Sequence, residues 1–289
     1  MAGQLIECVP NFSEGRDAAV VLAIEQAIGS VPGVLLLQRD MDPDHNRSVI
    51  TFAGPAEAVG EAALRGVATA AERIDLRRHS GVHPRIGAAD VVPFVPLEGA
   101  TLDDCAKLAR EVGKQAWERI GVPVYFYEAA ASSPERSPLE NVRRGGFEHP
   151  ALAPDLGGPQ LHPTAGACAI GARKLLVAFN VNLNSLDLAI AKSIARKIRA
   201  SSGGLPFVKA MGVPLASRGL VQVSMNLTNF EATPLSSVMA AVRAEASADG
   251  VSIAGTEIVG LAPRKALAGF EDVHAGRILE DRMTQATNR

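Results

Sequence analysis

The sequence is poor in cysteine, in tyrosine and tryptophan, and in excess charge of either sign. Its 289 residues include three cysteines, which lie far apart and are never spaced as CxxC, so the pattern argues against a disulfide framework and a zinc knuckle. The 29 Lys and Arg nearly balance 31 Asp and Glu, which predicts neither a nucleic-acid partner nor a membrane-surface partner. We therefore expect buried, reduced cysteines and a small-molecule partner that needs only a local group of charges.

Long apolar runs and phosphate-binding motifs are also missing. No run of 18 apolar residues predicts a transmembrane helix, and the opening MAGQLIECVPNFSEGRD lacks the apolar core of a signal peptide. There is no GxxxxGK[ST] motif, and no GxGxxG motif follows a predicted strand. With 47% hydrophobic residues, these absences favour a globular cytoplasmic protein that does not bind nucleotides through such motifs.

Alternating strand and helix patterns predict an α/β (α+β) fold in two ferredoxin-like-related subdomains, residues 1–174 and 175–289. The second follows the order β-α-β-β-α-β, and the first opens with β-α-β-β-α before further elements are added. We expect antiparallel pairing in each sheet, with helices on one face and the other face free. The prolines of VVPFVPL predict an edge or irregular strand there.

The densest group of reactive side chains lies in DLRRHSGVHPRIG, where two histidines and three arginines fall within nine residues. An imidazole with a pKa near ~6.5 can accept and return a proton at neutral pH, and neighbouring guanidinium groups can bind carboxylates. A solvated surface turn with incidental charge fits the composition equally well. A catalytic metal is not predicted, because Gly81 and Pro84 oppose the helix that would align His79 with His83.

Three asparagines stand where packing would favour apolar residues. Asn11 follows the first predicted strand, and Asn180 and Asn182 alternate with apolar residues in VAFNVNL. Such residues either lie on a solvent-facing side of the sheet or line a cleft, and the pattern leaves both possibilities open.

Six segments carry a resemblance to a known family. They are LIECVPNFSEGRD at 5–17, DPDHNRSVITFAGP at 42–55, RHSGVHPRIGAADVVPFVP at 78–96, VPVYFYEAA at 122–130, GARKLLVAFNVNL at 171–183 and IVGLAPRKAL at 258–267. Because they run in order along nearly the whole chain, the chain resembles the formiminotransferase family, the folate-dependent glutamate formimidoyltransferases of histidine degradation.

The resemblance implies a reaction, a fold and an assembly. The formimino group of N-formimino-L-glutamate would pass to tetrahydrofolate, the co-substrate, giving 5-formimidoyltetrahydrofolate and L-glutamate without a metal. Each half would be a mixed sheet with outer helices, a substrate tunnel would lie between the halves, and two chains would form a homodimer. The cyclodeaminase domain of the vertebrate form would be absent. Formyl transfer between N-formylglutamate and folate, and a non-catalytic folate-sensing module, remain as alternatives.

The resemblance makes His83, in the HPR element, the catalytic residue. The chemistry of the transfer adds further candidates: His79 would position the loop, Asp40 could stabilise a cationic adduct, and Arg85, Arg173 and Lys174 could bind the substrate carboxylates. The resemblance also assigns a folate-binding segment. At its end, several relatives have Ser-Trp-Gly where this chain has Thr164-Ala165-Gly166. That segment comprises Gly157, Gly158, Pro159, Gln160, Leu161, His162, Pro163, Thr164, Ala165 and Gly166.

Overall fold

The computed structural model describes residues 4–270 and 276–288, which form two compact units divided between Lys174 and Leu175. Each unit has its own hydrophobic core. Cys8, Cys105 and Cys168 are all buried and unpaired, which confirms the expectation for the cysteines. Within the described ranges, no helix combines the length and apolar character needed to cross a membrane.

The first unit is built on one sheet with helices packed against it. Its strands are β1 (Leu5–Cys8), β2 (Asn11–Phe12), β3 (Leu35–Asp42), β4 (Arg47–Pro55), β5 (Ala89–Pro96), β6 (Val124–Glu128) and β7 (Cys168–Ala172). Its helices are α1 (Ala18–Gly29), α2 (Ala56–Arg73), α3 (Leu102–Gln115) and the single turn α4 (Leu139–Val142). The strands β1 and β2 are halves of one interrupted strand, because both pair with β4 on one side and β5 on the other.

The order across this sheet is β3, β4, β1/β2, β5, β7, β6. The pairs β5–β7 and β6–β7 are parallel, whereas the other pairs are antiparallel. The expectation of antiparallel pairing throughout is therefore wrong here, and the mixed sheet that the resemblance implies is present. Parallel pairing follows from the long connections, since α3 links β5 to β6 and a segment of almost forty residues separates β6 from β7.

The strand β5 is central, so the edge or irregular position expected from its prolines is wrong. Pro93 has no N–H to donate to the neighbouring strand. However, the position opposite Pro93 falls in the gap between β1 and β2, where that strand is interrupted. The Pro93 carbonyl accepts a hydrogen bond from the backbone N–H of Val9 at 3.3 Å. A missing donor is tolerated at this point because the facing strand is itself broken.

The two faces of the first sheet differ in polarity. Ile6, Phe52 and Phe94 point toward the helices and belong to the main core. The alternate positions carry polar side chains that are nevertheless mostly buried, among them Glu7, Asn11, Arg47 and Thr51. Successive residues of a strand point to opposite faces, so the sequence that builds the core also produces a polar sheet face.

The second unit has the predicted β-α-β-β-α-β order. It consists of β8 (Val177–Leu183), α5 (Leu188–Ile198), β9 (Val208–Leu215), β10 (Leu220–Leu227), α6 (Leu235–Ala248), β11 (Ile253–Val259) and α7 (Leu279–Thr287). The sheet order β11-β8-β10-β9, with every pair antiparallel, is ferredoxin-like. The strands β5, β1/β2, β4 and β3 of the first unit have the same order, which confirms two related α/β subdomains.

Candidate active site

His83 lies in a loop, residues 75–88, that leaves α2 and enters β5. After a short 3-10 turn at Leu76–Arg78 the loop has no further helix. The amide of Asn46 donates from Nδ2 to the Ser80 carbonyl at 3.0 Å and so anchors the middle of the loop to the turn between β3 and β4. The loop is thus held by the protein and is not a freely solvated turn.

One ring nitrogen of His83 is committed to the backbone. Its Nδ1 lies 2.8 Å from the carbonyl oxygen of Pro84. A carbonyl oxygen can only accept, so Nδ1 carries the hydrogen, and the lone pair of the neutral ring is on Nε2. The half-buried ring is tilted against that of His45, with 5.8 Å between centroids. Nε2 is therefore the atom of His83 that can accept a proton from a substrate.

The surroundings of His83 disfavour its protonation. Burial lowers its pKa well below the usual value, and the positive charges of Arg47 and Arg143 lower it further. The hydrogen bond to Pro84 and the charge of Asp90 offset only part of this effect. His83 is consequently neutral at physiological pH, the form required of a general base.

Asp90 connects the loop to the sheet through a buried ion pair. Its Oδ1 accepts the backbone N–H of Ile86 at 2.7 Å, and its Oδ2 lies 2.7 Å from Nη1 of Arg47 and 3.8 Å from Nη1 of Arg143. Burial opposes ionisation of Asp90, but the two arginine charges and the hydrogen bonds outweigh it and lower the pKa. The ionised carboxylate therefore holds two guanidinium groups near His83.

His79 braces the loop through the backbone. Its Nε2 lies 2.9 Å from the carbonyl oxygen of Asn46, so this nitrogen carries the hydrogen. The other nitrogen, Nδ1, is buried and has no hydrogen-bond partner among the described residues. Burial lowers the pKa of His79.

Arg85 is occupied by protein groups. Its Nη2 lies 2.9 Å from Oε1 of Glu148, its Nη1 lies 3.3 Å from Oε2, and Nη2 also donates to the carbonyls of Leu76 and His79. The charge of Arg85 is thus already compensated by Glu148. This geometry favours a structural role for Arg85 over the predicted role of binding a substrate carboxylate.

The segment predicted to bind folate, residues 157–166, pairs with the His83 loop. Gly87 and Gly166 face each other in an antiparallel bridge. A Cβ on Gly87 would lie 2.0 Å from the backbone oxygen of Ala167, and one on Gly166 would lie 2.2 Å from that of Ile86. Glycine at both positions therefore permits the close approach, and the structure places the two segments side by side.

The same segment presents its first part to solvent and its last part to the core. Gly158, Pro159 and Gln160 are exposed. The chain then turns back at His162, whose Nδ1 accepts the backbone N–H of Ala165 at 3.0 Å. The side chain of Ala165, at the position where the resemblance implies a tryptophan in several relatives, is buried in the main core.

Asn11 and Asp40 lie on the same sheet face. Each is directly opposite Val49, with Asn11 on β2 and Asp40 on β3, so their backbones are roughly 10 Å apart across two strand spacings. Oδ1 of Asn11 accepts from Nε of Arg47 at 3.0 Å, which joins Asn11 to the Asp90 ion pair. The β3–β4 ladder continues to Asp42, so Asp40 is a strand residue.

Arg173 and Lys174 lie toward the other end of β5. The backbone N–H of Arg173 donates to the Phe94 carbonyl, four residues from Asp90, which corresponds to about 13 Å along a strand. The Lys174 side chain is exposed. The charge of Arg173 acts on the buried carboxyl of Glu7, whose pKa burial raises to about 7 against this opposing effect. Both cations are thus separated from the His83 cluster.

Asn180 belongs to the second unit, where it is buried on β8. It hydrogen-bonds the carboxylate of Glu257 on β11, which also accepts from Nδ2 of Asn182 at 2.8 Å. Nε2 of Gln222 in turn donates to Asn182 at 2.8 Å. The strand asparagines are therefore part of a buried polar cluster, and the solvent-facing alternative is wrong for them.

Three charged residues at the site were not predicted: Arg47, Asp90 and Arg143. The sequence offered only a weak signal for two of them. Asp90 directly precedes the apolar run VVPFVP, and Arg47 is separated from the apolar run VITFA by Ser48. Arg143 lies in an irregular segment, and only the tertiary fold brings it to Asp90. Within 4–270 and 276–288, no group of three or more His, Cys, Asp or Glu side chains could hold a metal ion.

Comparison with known proteins agrees with the resemblance. A relative named glutamate formimidoyltransferase from Thermoplasma acidophilum is 46% identical over 98% of this chain and 99% of its own length. One of that name from Streptococcus pyogenes serotype M1 is 44% identical over 91% of each chain. The formimidoyltransferase-cyclodeaminase of Rattus norvegicus is 43% identical over 91% of this chain, which spans 51% of that protein.

Two family profiles divide the chain between them. The formiminotransferase domain, N-terminal subdomain, matches residues 5–173, and the formiminotransferase domain matches residues 178–277. Each match falls within one of the two compact units. The chain belongs to the formiminotransferase family.

Proposed function

We propose that this protein is a glutamate formimidoyltransferase, which transfers the formimino group of N-formimino-L-glutamate to tetrahydrofolate and releases L-glutamate. The observation that carries the proposal is the state of His83, whose Nδ1 is bonded to a carbonyl and whose Nε2 is left as a proton acceptor. The family and the names of its relatives indicate which reaction this base serves.

His83 would move one proton between the two nitrogens of the reaction. Its Nε2 accepts the proton that N5 of tetrahydrofolate loses as the bond from N5 to the formimino carbon forms. It returns this proton to the glutamate nitrogen as the bond from that nitrogen to the same carbon breaks, so the reaction needs no net proton. One such group contributes on the order of 10²–10⁴-fold in rate. Asp40 is our candidate for stabilising the cationic formimino nitrogen of the intermediate.

Residues 157–166 would contact the folate, because this segment pairs with the His83 loop and exposes Gly158, Pro159 and Gln160. The backbone N–H of Arg173 bonds the Phe94 carbonyl, about 13 Å along β5 from Asp90. Arg173 and Lys174 are therefore our candidates for binding the glutamyl tail of an extended folate. We further propose a cytoplasmic homodimer that acts on these small molecules without a metal, nucleic acid or membrane partner.

The decisive experiment is a turnover assay with tetrahydrofolate in chelator-treated buffer. We expect 5-formimidoyltetrahydrofolate from N-formimino-L-glutamate, and slower turnover of N-formylglutamate. Faster turnover of the formyl donor would assign formyl transfer instead. Folate binding without turnover of either donor would indicate a non-catalytic folate-sensing module, and restoration by a divalent metal after chelation would contradict metal independence.

A further inference from the structure

The ion-pair cluster beside His83 has more positive than negative charge. Arg47 and Arg143 share a single carboxylate, that of Asp90, at 2.7 and 3.8 Å. The three side chains are largely or fully buried, with exposed fractions of 9%, 15% and 0%. His83 is neutral, and its neighbour Arg85 is compensated by its own partner, Glu148. One positive charge in a mostly buried setting is thus left uncompensated, which is costly unless an anion joins it.

Of the two arginines that share Asp90, Arg143 is the one with donors to spare. Both Nε and Nη1 of Arg47 have close partners, Asn11 and Asp90. The Nε of Arg143 is buried without a hydrogen-bond partner in the described part of the chain. The polar contacts of its guanidinium run through Nη1 and are long, 3.8 Å to Asp90 and 3.5 Å to the Pro84 carbonyl. Buried donors normally have acceptors. The Arg143 side chain is still 15% exposed, so a ligand can reach its guanidinium group.

The guanidinium group of Arg143 is close to the proposed base. Nη1 of Arg143 and Nδ1 of His83 both approach the carbonyl oxygen of Pro84, at 3.5 and 2.8 Å. These two distances limit the separation between the nitrogens to about 6.3 Å. An acceptor bound by Arg143 therefore lies within one small substrate's length of the imidazole.

We propose that Arg143, supported by Arg47, binds a carboxylate of the acidic amino-acid substrate beside His83 and completes the charge balance of this cluster. The inference rests on the proposed function for the identity of the anion, a glutamyl carboxylate. A carboxylate suits the planar donors of a guanidinium, and the contact would place the donor nitrogen near the proton-transfer residue. The contact would thus serve both affinity and orientation.

Anion binding also has a consequence for His83. The charges that face its ring are those of Arg47 on β4, Arg143 after α4 and Asp90 on β5, with the ring of His45 packed alongside. A bound carboxylate would offset the two arginine charges, so the pKa of His83 would rise when the acidic substrate binds. The base would then hold the transferred proton more readily while the substrate is present.

The test compares Arg143→Met with Arg144→Met, which removes the same charge at an exposed neighbour that bonds Asn141. L-Glutamate, the acidic product, is the probe, and the observables are its Kd and the His83 pKa from NMR titration of the ring. We expect Arg143→Met to weaken glutamate binding about 10- to 100-fold, the usual range for losing a hydrogen bond to a charged group, and Arg144→Met to have little effect.

The charge of Arg143 should also affect the pKa of His83 and the glutamate affinity of a charge-conserving variant. In the Arg143→Met protein the pKa of His83 without ligand should already be higher than in the wild type, and glutamate should shift it less. Arg143→Lys, which keeps the charge, should retain more affinity than Arg143→Met, and thermal melting would show that both variants are folded. Equal glutamate affinity in the Arg143→Met protein and the Arg144→Met control would overturn the proposal, as would a His83 titration that glutamate does not move.

The binding measurement separates this inference from the proposed function. If formimino transfer is absent while glutamate binding still depends on Arg143, the function is wrong and the anion site remains. If transfer occurs and Arg143→Met leaves both the KM for the acidic donor and the Kd for glutamate unchanged, the anion site is wrong and the function remains.

Discussion

At the scale of single residues, the two histidines of the loop differ in which nitrogen remains available. His83 bonds the backbone through Nδ1 and keeps Nε2 for a substrate. His79 bonds the backbone through Nε2, and its remaining Nδ1 is buried. A buried nitrogen cannot exchange a proton with a bound ligand without rearrangement of the loop. We therefore propose a chemical role for the histidine at position 83 and a positioning role for the histidine at position 79.

His83→Ala is expected to lower kcat by roughly 10²–10⁴-fold, the range for losing one general acid–base group. The folate KM should change little, because the proposed folate contacts lie in residues 157–166. Steady-state kinetics would show kcat and kcat/KM falling together. The control is His79→Ala, which should be milder. Near-normal turnover in His83→Ala together with loss of turnover in His79→Ala would mean that the two roles must be exchanged.

The pH dependence of kcat/KM should have its acidic limb below the ordinary histidine pKa of about 6.5. His83 acts as a base only when neutral, so activity falls as the pH decreases through its pKa. Burial and the charges of Arg47 and Arg143 lower that value, which moves the limb to more acidic pH. Rates measured across the acidic and neutral range would test this expectation. It would be contradicted if the acidic limb of the wild type had its midpoint above the ordinary histidine pKa and this limb were missing in His83→Ala.

At the scale of elements, the junction of the His83 loop with residues 157–166 depends on backbone contact. Gly87→Ala should lower the free energy of unfolding by about 2–3 kcal/mol and weaken folate binding, because its Cβ would collide with the Ala167 backbone oxygen. Thermal melting and folate titration would measure the two effects. Gly255→Ala is the control, since a Cβ there has no heavy atom within 4 Å. Equal stability of the two variants would show that the junction is looser than the structure indicates.

Element order was predictable where local patterns are strong. The β-α-β-β-α-β order of residues 175–289 follows from apolar periodicity and turn residues, and the structure confirms it. The strand β7 and the central position of β5 were not predictable. β7 is a short run of small residues, CAIGA, with little strand preference, and Pro93 is tolerated only because the neighbouring strand is interrupted.

At the scale of the whole molecule, the buried carboxyl of Glu7 should make stability depend on pH. Its pKa in the folded protein is raised from 4.5 to about 7, chiefly by burial. Between these values the folded protein binds a proton that the unfolded chain releases, so the free energy of unfolding falls as the pH rises. Glu7→Gln should therefore gain up to ~3 kcal/mol relative to the wild type between about pH 4.5 and about pH 8.

Denaturant unfolding at several pH values would measure this difference, with the exposed Glu72→Gln as control. The control should show no such trend, because its side chain remains in water. A stability difference between Glu7→Gln and the wild type that stays constant with pH would contradict the prediction.

Assembly is a second property of the whole molecule. We expect a twofold, isologous homodimer, so static light scattering at micromolar concentration should give about twice the chain mass of 30.2 kDa. Size-exclusion chromatography over a dilution series would serve as the control for weak association. A mass equal to one chain across that series would count against the dimer.

Local sequence patterns were enough to predict the α/β class, the two related subdomains and the family, and the motifs pointed to His83. These predictions follow from local periodicity and from motifs whose residues are adjacent in the chain. The folded structure was needed to show that Nε2 of His83 is the available nitrogen, that Arg85 is already paired with Glu148, and that Arg47, Asp90 and Arg143 form a cluster. Hydrogen bonds and ion pairs between residues 43 to 63 positions apart depend on how strands and loops meet in space, which local sequence patterns do not encode.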